Sequence, residues 1–167
     1  MINPAGKEEF LKMIQDNMGI IFKICNSYCQ NKNDREDLAQ DIIYHLWKAG
    51  NSFNNDHKFS TWMYRVALNV AISFYRKEKK ESNIISLQEH HVHIEENNQG
   101  LNEDAEKSKL LQQFINELKE LDRALMILYL EAKTYAEISE ILGITETNVA
   151  TKISRIKNRL KEKISNH

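Results

Sequence analysis

Thr147, Asn148, Thr151, Lys152, Arg155 and Arg159 recur along one side of the segment TETNVATKISRIKNRLKEK, which runs from Thr145 to Lys163. Short polar side chains near the start of a helix reach base edges, and cations further along hold phosphates. The chemistry implied is duplex binding, with no bond made or broken. A second basic segment, KFSTWMYRVALNVAISFYRKEKK from Lys58 to Lys80, is of another kind. Trp62, Val66, Val70 and Phe74 recur there at every fourth residue as an apolar stripe. Thr61, Arg65, Asn69, Ser73 and Arg76 form an adjoining polar stripe, which Lys77, Lys79 and Lys80 extend. Together with Trp62, Tyr64 and Tyr75, this helix offers phosphate contacts and aromatic faces for unstacked bases. Each such stack is worth about 1–3 kcal/mol. The bland alternative for both segments is an amphipathic helix with a solvated charged face. Two unlike basic helices in one chain point to a protein that handles DNA both as duplex and as opened strand.

Catalytic chemistry has little behind it. No nucleophile elbow, phosphate-binding glycine loop or supported pair of carboxylates occurs. His90, His91 and His93 lie among acids in a polar stretch and read as a solvated linker. Cys25 and Cys29 stand four apart on an expected helix, poorly placed for a disulfide. They read as small buried residues of a reducing compartment, with no further ligands nearby for zinc. No catalytic residue, metal, cofactor or small-molecule substrate is expected.

Charge is informative only by segment. The 167 residues carry a net charge of −1, which taken alone argues against nucleic acid. Residues 1–80 hold 12 Lys and Arg against 9 Asp and Glu, and residues 109–167 hold 10 against 8. Between them, residues 81–108 hold 1 against 7. An acidic stretch therefore masks two basic modules. No run approaches the roughly 18 apolar residues that a spanning helix needs. The start, MINPAGKEEF, has no apolar signal core, so a cytoplasmic location is expected.

These groups need helices to position them. Pro4 is the only proline and there are five glycines, which favours long helices and short turns. Periodicity predicts a helix over residues 7–30, with Gly19 marking a kink or a close contact. It predicts a second helix from an Asp34 N-cap to about Lys48, burying Leu38, Ile42, Ile43, Leu46 and Trp47. A polar loop over 49–58 precedes a third helix from about Ser60 to Lys80. Residues 81–104 read as an acidic, partly disordered linker. A helix over 105–119 follows, then one capped by Asp122. TYAE from Thr134 is a capping-box pattern that opens a short helix packed by Tyr135, Ile138 and Leu142. Gly143 permits a sharp turn, and Thr145 caps the last helix. Val149, Ile153, Ile156, Leu160 and Ile164 form that helix's buried stripe. The fold class is all-α: two small helical domains, 1–80 and 105–167, the second a helix-turn-helix, joined by the linker 81–104.

The order of these pieces resembles the extracytoplasmic-function group of sigma factors within the sigma-70 superfamily. DREDLAQDIIYHLWK, from Asp34 to Lys48, is similar to region 2.2, which binds the clamp helices of RNA polymerase. KFSTWMYRVALNVAISFYRK, from Lys58 to Lys77, is similar to regions 2.3 and 2.4, which open and read the −10 element. Leu121 to Ile164 is similar to region 4, which reads the −35 element as duplex. The resemblance implies that Asp37, Gln40, Asp41 and Trp47 dock on core polymerase. It places Phe53, Asn54, Asn55 and Lys58 around a flipped base, with Thr61, Trp62, Arg65, Asn69, Arg76 and Lys77 toward the melted strand. Thr145, Thr147, Asn148, Thr151, Lys152, Arg155 and Arg159 fall to the −35 element. The departures are Ser73, where the family usually has an aspartate, and the lack of a proline before the first region 4 helix.

The implied partners are core RNA polymerase, promoter DNA and an anti-sigma factor. The implied linker path runs toward the polymerase active centre, where Glu95, Glu96, Glu103 and Asp104 would influence promoter escape. A free-standing helix-turn-helix regulator is the first alternative, but it leaves the loop and helix at 51–80 unexplained. An enzyme on a helical bundle is the second.

Overall fold

Asn17 breaks what periodicity reads as one N-terminal helix. In the computed structural model, which describes residues 4–54, 58–85 and 103–166, α1 spans Pro4–Asp16 and α2 spans Met18–Tyr28. Asn17 sits between them at φ −113° and ψ 18°, and its side-chain amide donates to the Met13 carbonyl at 2.8 Å. Gly19 is not the cause. It lies inside α2, and a Cβ added there would meet nothing within 4 Å.

α3 spans Lys32–Ala49. Its N-cap is Asn31, not the expected Asp34. The Asn31 side-chain oxygen accepts from the Asp34 N–H at 2.8 Å, and its amide donates to the Asp34 carboxylate at 2.6 Å. A short 3-10 turn, Gly50–Ser52, leads into the loop. α4 spans Phe59–Ile85 and α5 spans Glu103–Glu117, so both ends of the expected linker 81–104 are helical. His90, His91, His93, Glu95 and Glu96, for which the sequence sets expectations, lie outside the described residues. α6 spans Glu120–Leu130, entered from Lys119 with no side-chain cap; Asp122 is already inside it.

The two short turns that follow differ in chemistry. After α6, the Lys133 N–H donates to the Leu128 carbonyl and the Ala132 N–H to that of Tyr129, both within 3.1 Å. This is a Schellman closure, and it puts Ala132 at φ +58°, in the left-handed region glycine prefers. α7, Tyr135–Leu142, starts with the expected capping box: the Thr134 hydroxyl accepts from the Glu137 N–H while the Glu137 carboxylate accepts from Thr134. Gly143 at φ +69° ends it. α8 spans Glu146–Ser165, capped by Thr145, whose hydroxyl accepts from the Asn148 N–H at 3.1 Å.

α2, α3 and α4 pack together, and α6, α7 and α8 pack together. Ile21, Ile24, Leu38, Ile42, Leu46, Met63 and Ala67 fill the first core, all fully buried. Leu118, Leu125, Leu128, Ile138, Val149 and Ile153 fill the second, also with no more than 2% exposure. Each large side chain so buried contributes about 1.5–3 kcal/mol. The two cores are not separate: α2 and α4 also touch α5, α6 and α7, and the buried apolar side chains form one continuous cluster.

Three expected core positions differ. Trp47 is 42% exposed, Tyr135 39% and Ile164 55%. Each lies at the edge of its apolar stripe or at the end of its helix, and Trp47 is covered on one side only, by Phe10 of α1.

Candidate nucleic-acid interface

The Thr145 cap fixes where α8 begins, and therefore which side chains its first turn presents. Thr147, Asn148 and Thr151 are all on the outer side there, with Arg155 and Arg159 exposed further along. Lys152 is half-buried. Val149, Ile153 and Ile156 face inward, so these polar groups share the outer side as the sequence predicts. The N-terminal turn adds N–H groups and a positive dipole end that favour a phosphate. Two other cations of α8 turn elsewhere. Lys157 donates to the Tyr129 hydroxyl of α6 at 3.1 Å, which raises its pKa, and Lys163 pairs with Glu117 of α5.

α4 departs further from expectation. Arg65 and Asn69 are exposed on one face, with Lys77 exposed beyond them. Thr61, expected to face DNA, is 6% exposed. Tyr64, expected to offer a stacking face, is 2% exposed and lies beneath Lys133 Nζ, 5.4 Å from the ring centroid. Burial pushes its hydroxyl up to about 12. Tyr75 is half-buried against Tyr28 and Arg123. The reason is common to all three: α4 is covered by α3 on one side and by α6 and α7 on another.

Trp62 sits in a cluster of rings. Its centroid is 5.8 Å from Phe10 of α1, 5.4 Å from Phe53 and 5.5 Å from Phe59. Phe10 is 5% exposed and also meets Trp47 at 6.2 Å and Phe59 at 5.9 Å. The cluster ties α1, the end of α3 and the loop before α4 into one aromatic base. Phe53 is half-buried in it, while Asn54 and Lys58 are exposed. Asn55 lies outside the described residues. Sequence reasoning misses Phe10 as part of this group, because its stripe reads only as helix core.

On α3, Asp37, Gln40, Asp41 and Trp47 are all exposed. Tyr44 is 59% exposed and seven residues beyond Asp37, hence on the same face. Sequence reasoning overlooks Tyr44, although its spacing is an available signal. A cleft of about 560 Å³ between α3 and α4 brings Asp37 and Asp41 together with Asn69 and Lys77. Glu78 also lines it, with a pKa raised by burial and then by Asp34, Glu81 and Asp37.

Arg76 does not reach out. Its Nε donates to the Glu120 carboxylate of α6 at 2.8 Å, and that bond holds the Glu120 carboxyl below the usual carboxylate range. Glu137 of α7 is also lowered. Burial works against this, but the Thr134 hydrogen bonds outweigh it and Lys133 and Lys58 add to them.

Residues 13–81 match sigma-70 region 2, and residues 108–160 match sigma-70 region 4. The chain is 28% identical to the ECF RNA polymerase sigma factor SigW of Bacillus subtilis (strain 168), over 98% of this chain and 92% of SigW. It is 30% identical to the RNA polymerase sigma factor YlaC of the same organism, over 78% of this chain and 77% of YlaC. Its fold is similar to that of the sigma factor RpoE from Bartonella quintana, solved as a co-crystal with the anti-sigma factor NepR. The TM-score is 0.71 at 20% identity, over 95% of this chain and 98% of that one. Among the described residues no helix is long and apolar enough to cross a membrane. With region 2 on the helices through α4 and region 4 on those from α5, the chain belongs to the extracytoplasmic-function group of sigma-70 RNA polymerase sigma factors, a family of regulatory proteins.

Proposed function

We propose that this chain joins core RNA polymerase in the cytoplasm, directs it to promoters through two DNA-binding units, and performs no chemistry itself. The observation that carries the reading is the capped α8, which presents Thr147, Asn148, Thr151, Arg155 and Arg159 outward in a chain that also displays Arg65 and Asn69 on α4.

The division of labour follows from the two surfaces. Residues 105–167 read the −35 element as duplex: the first turn of α8 meets base edges, and Lys152, Arg155 and Arg159 hold phosphates. Residues 1–80 take the −10 element as it opens. Arg65, Asn69, Arg76 and Lys77 follow the strand, and Phe53, Asn54, Asn55 and Lys58 wall the flipped base. Trp62 supports that wall from below through Phe53 and Phe59, and Thr61 acts from within the core. Asp37, Gln40, Asp41 and Trp47 dock on polymerase, with Tyr44 added to that face. Residues 81–104 connect the two units. An anti-sigma factor, such as the one bound to the RpoE of similar fold, restrains the chain until a signal releases it.

The test is transcription with sigma-free core polymerase on genomic DNA, with the start sites mapped. Discrete new starts sharing two upstream motifs are expected. Failure to bind core, alongside tight salt-sensitive duplex binding, would instead favour a free-standing regulator.

A further inference from the structure

Arg123 is 3% exposed, and its hydrogen bonds among the described residues all run to backbone carbonyls. A buried guanidinium must be met by acceptors on every edge. The C-terminal unit supplies three: Nε donates to the Ile115 carbonyl, and Nη2 donates to those of Asn116 and Leu118. These carbonyls lie at and just beyond the end of α5, so this part of the arrangement is a helix cap.

The rest comes from the other unit. Nη1 donates to the Ser27 carbonyl of α2 at 2.9 Å. The guanidinium carbon lies 5.2 Å from the Tyr28 ring centroid and 4.8 Å from that of Tyr75. The two rings stand 6.1 Å apart at 73°, which forms a corner that fits a flat cation. The Tyr28 hydroxyl then donates to the Glu120 backbone carbonyl at 2.7 Å, and the Glu120 carboxylate accepts from Arg76. Lys23 of α2 and Glu131, just past α6, pair at 2.7 Å on the rim.

We propose that Tyr28, Tyr75 and the Ser27 carbonyl form a guanidinium receptor on the N-terminal unit, and that Arg123 occupies it in cis as a latch closing the two units. The latch is reversible for a physical reason. Its core is a hydrogen-bonded cation on two rings, and the Nη1 donor and the Ser27 carbonyl exchange their mutual bond for bonds to water when the units part. Its consequence rests on the function proposed above: while the latch is closed, Glu120 holds Arg76, so Arg76 meets the melted strand only after opening. The free chain is thus restrained before any partner binds.

Zero-length carbodiimide coupling of the full chain reads closure directly, because it joins an amine to a carboxylate only in contact. The Lys23–Glu131 link reports the two units, and the Lys163–Glu117 link, internal to the C-terminal unit, is the control. In the wild type both links are expected by mass spectrometry. In Tyr75→Ala the first should fall on the order of several-fold, the cation–π contribution of a partly exposed ring, with the second unchanged. Tyr75 is only half-buried, so the variant should fold, and Lys23→Glu provides a second opening variant without touching the core. No Lys23–Glu131 link in the wild type, or equal links in Tyr75→Ala, would overturn the receptor. If the link falls in Tyr75→Ala and both opening variants bind core polymerase several-fold tighter, the latch is regulatory. If the link falls without any gain in affinity, closure does not regulate and that half of the proposal is wrong. If neither wild type nor variants bind polymerase, the functional reading fails instead, while the links still decide the receptor.

Discussion

Arg76 of α4 and Glu120 of α6 are bonded Nε to carboxylate at 2.8 Å, although sequence reasoning turns the first toward DNA and the second belongs to the opposite unit. Arg76 is 63% exposed along its side chain and Glu120 only 20%, so the pair sits at a rim and is partly screened. The sign of its pH dependence is fixed. The hydrogen bond from Arg76 lowers the Glu120 pKa, so its contribution is complete above the usual value of 4.5 and is lost as pH falls through the lower, folded value. Acidification below about pH 4.5 should therefore loosen the contact between the two units. Scattering radii measured across that range check this. In Glu120→Gln the acid-dependent expansion should shrink.

Lys152→Ala with Arg155→Ala should weaken binding of a −35 duplex and flatten its salt dependence. Every phosphate that a side chain no longer neutralises lowers the slope of log K against log salt by about 0.9, so the pair should remove about 1.8. A titration at several salt concentrations reads this. A change of only about 0.9 would assign the phosphate to Arg155, since Lys152 is half-buried. An unchanged slope would remove α8 from the DNA interface.

From Thr134 onward the C-terminal unit is legible in sequence because the capping devices there are local. Thr134 with Glu137, Gly143 and Thr145 all act within four residues, and each is found in its expected role. The N-terminal departures are of a different kind. Thr61, Tyr64 and Tyr75 carry polar groups at positions that sequence reasoning assigns to an open face, yet neighbouring helices, α6 and α7 among them, cover α4. Whether two amphipathic units pack on one another depends on contacts about a hundred residues apart, such as Tyr28 with Glu120, which no local pattern encodes. Asn17 escapes sequence reasoning for a related reason. A single polar residue within a strong apolar period gives no warning that it bonds back to the Met13 carbonyl and divides the helix.

Two turn positions should respond in opposite directions. Ala132 holds φ +58° in the Schellman closure after α6, a conformation that costs an L-residue about 1–2 kcal/mol. Ala132→Gly removes that strain and should stabilise the chain by up to about 1 kcal/mol, after the added entropy of the unfolded glycine is offset. Gly143 holds φ +69° between α7 and α8, and open space surrounds it. Gly143→Ala should therefore lose about 1 kcal/mol from backbone strain alone, with no clash. Chemical denaturation of both variants checks the pair. Equal signs would mean that the αL geometry is not what these positions select.

Cys25 and Cys29 are 2% and 4% exposed, and burial is the largest influence on both thiols. It raises Cys25 to about 11 and Cys29 to about 12, the latter with help from Glu78. Both stay protonated near neutrality, so neither acts as a nucleophile or redox sensor in the folded chain. A thiol-specific disulfide reagent at pH 8 should react with neither until denaturant is added, and then with both. The linkage has the opposite sign to that of Glu120. Here the neutral thiol is the form the fold favours, and unfolded thiols ionise near their ordinary value of 9. The unfolded chain therefore releases protons first, and stability should fall as pH rises from 9 toward 11 and 12. Double replacement by Ala or Ser should blunt that alkaline loss of stability. Rapid labelling of the folded chain at pH 8 would show instead that α2 opens locally, since it is α2 that carries Cys25 and ends at the Tyr28 ring holding Arg123.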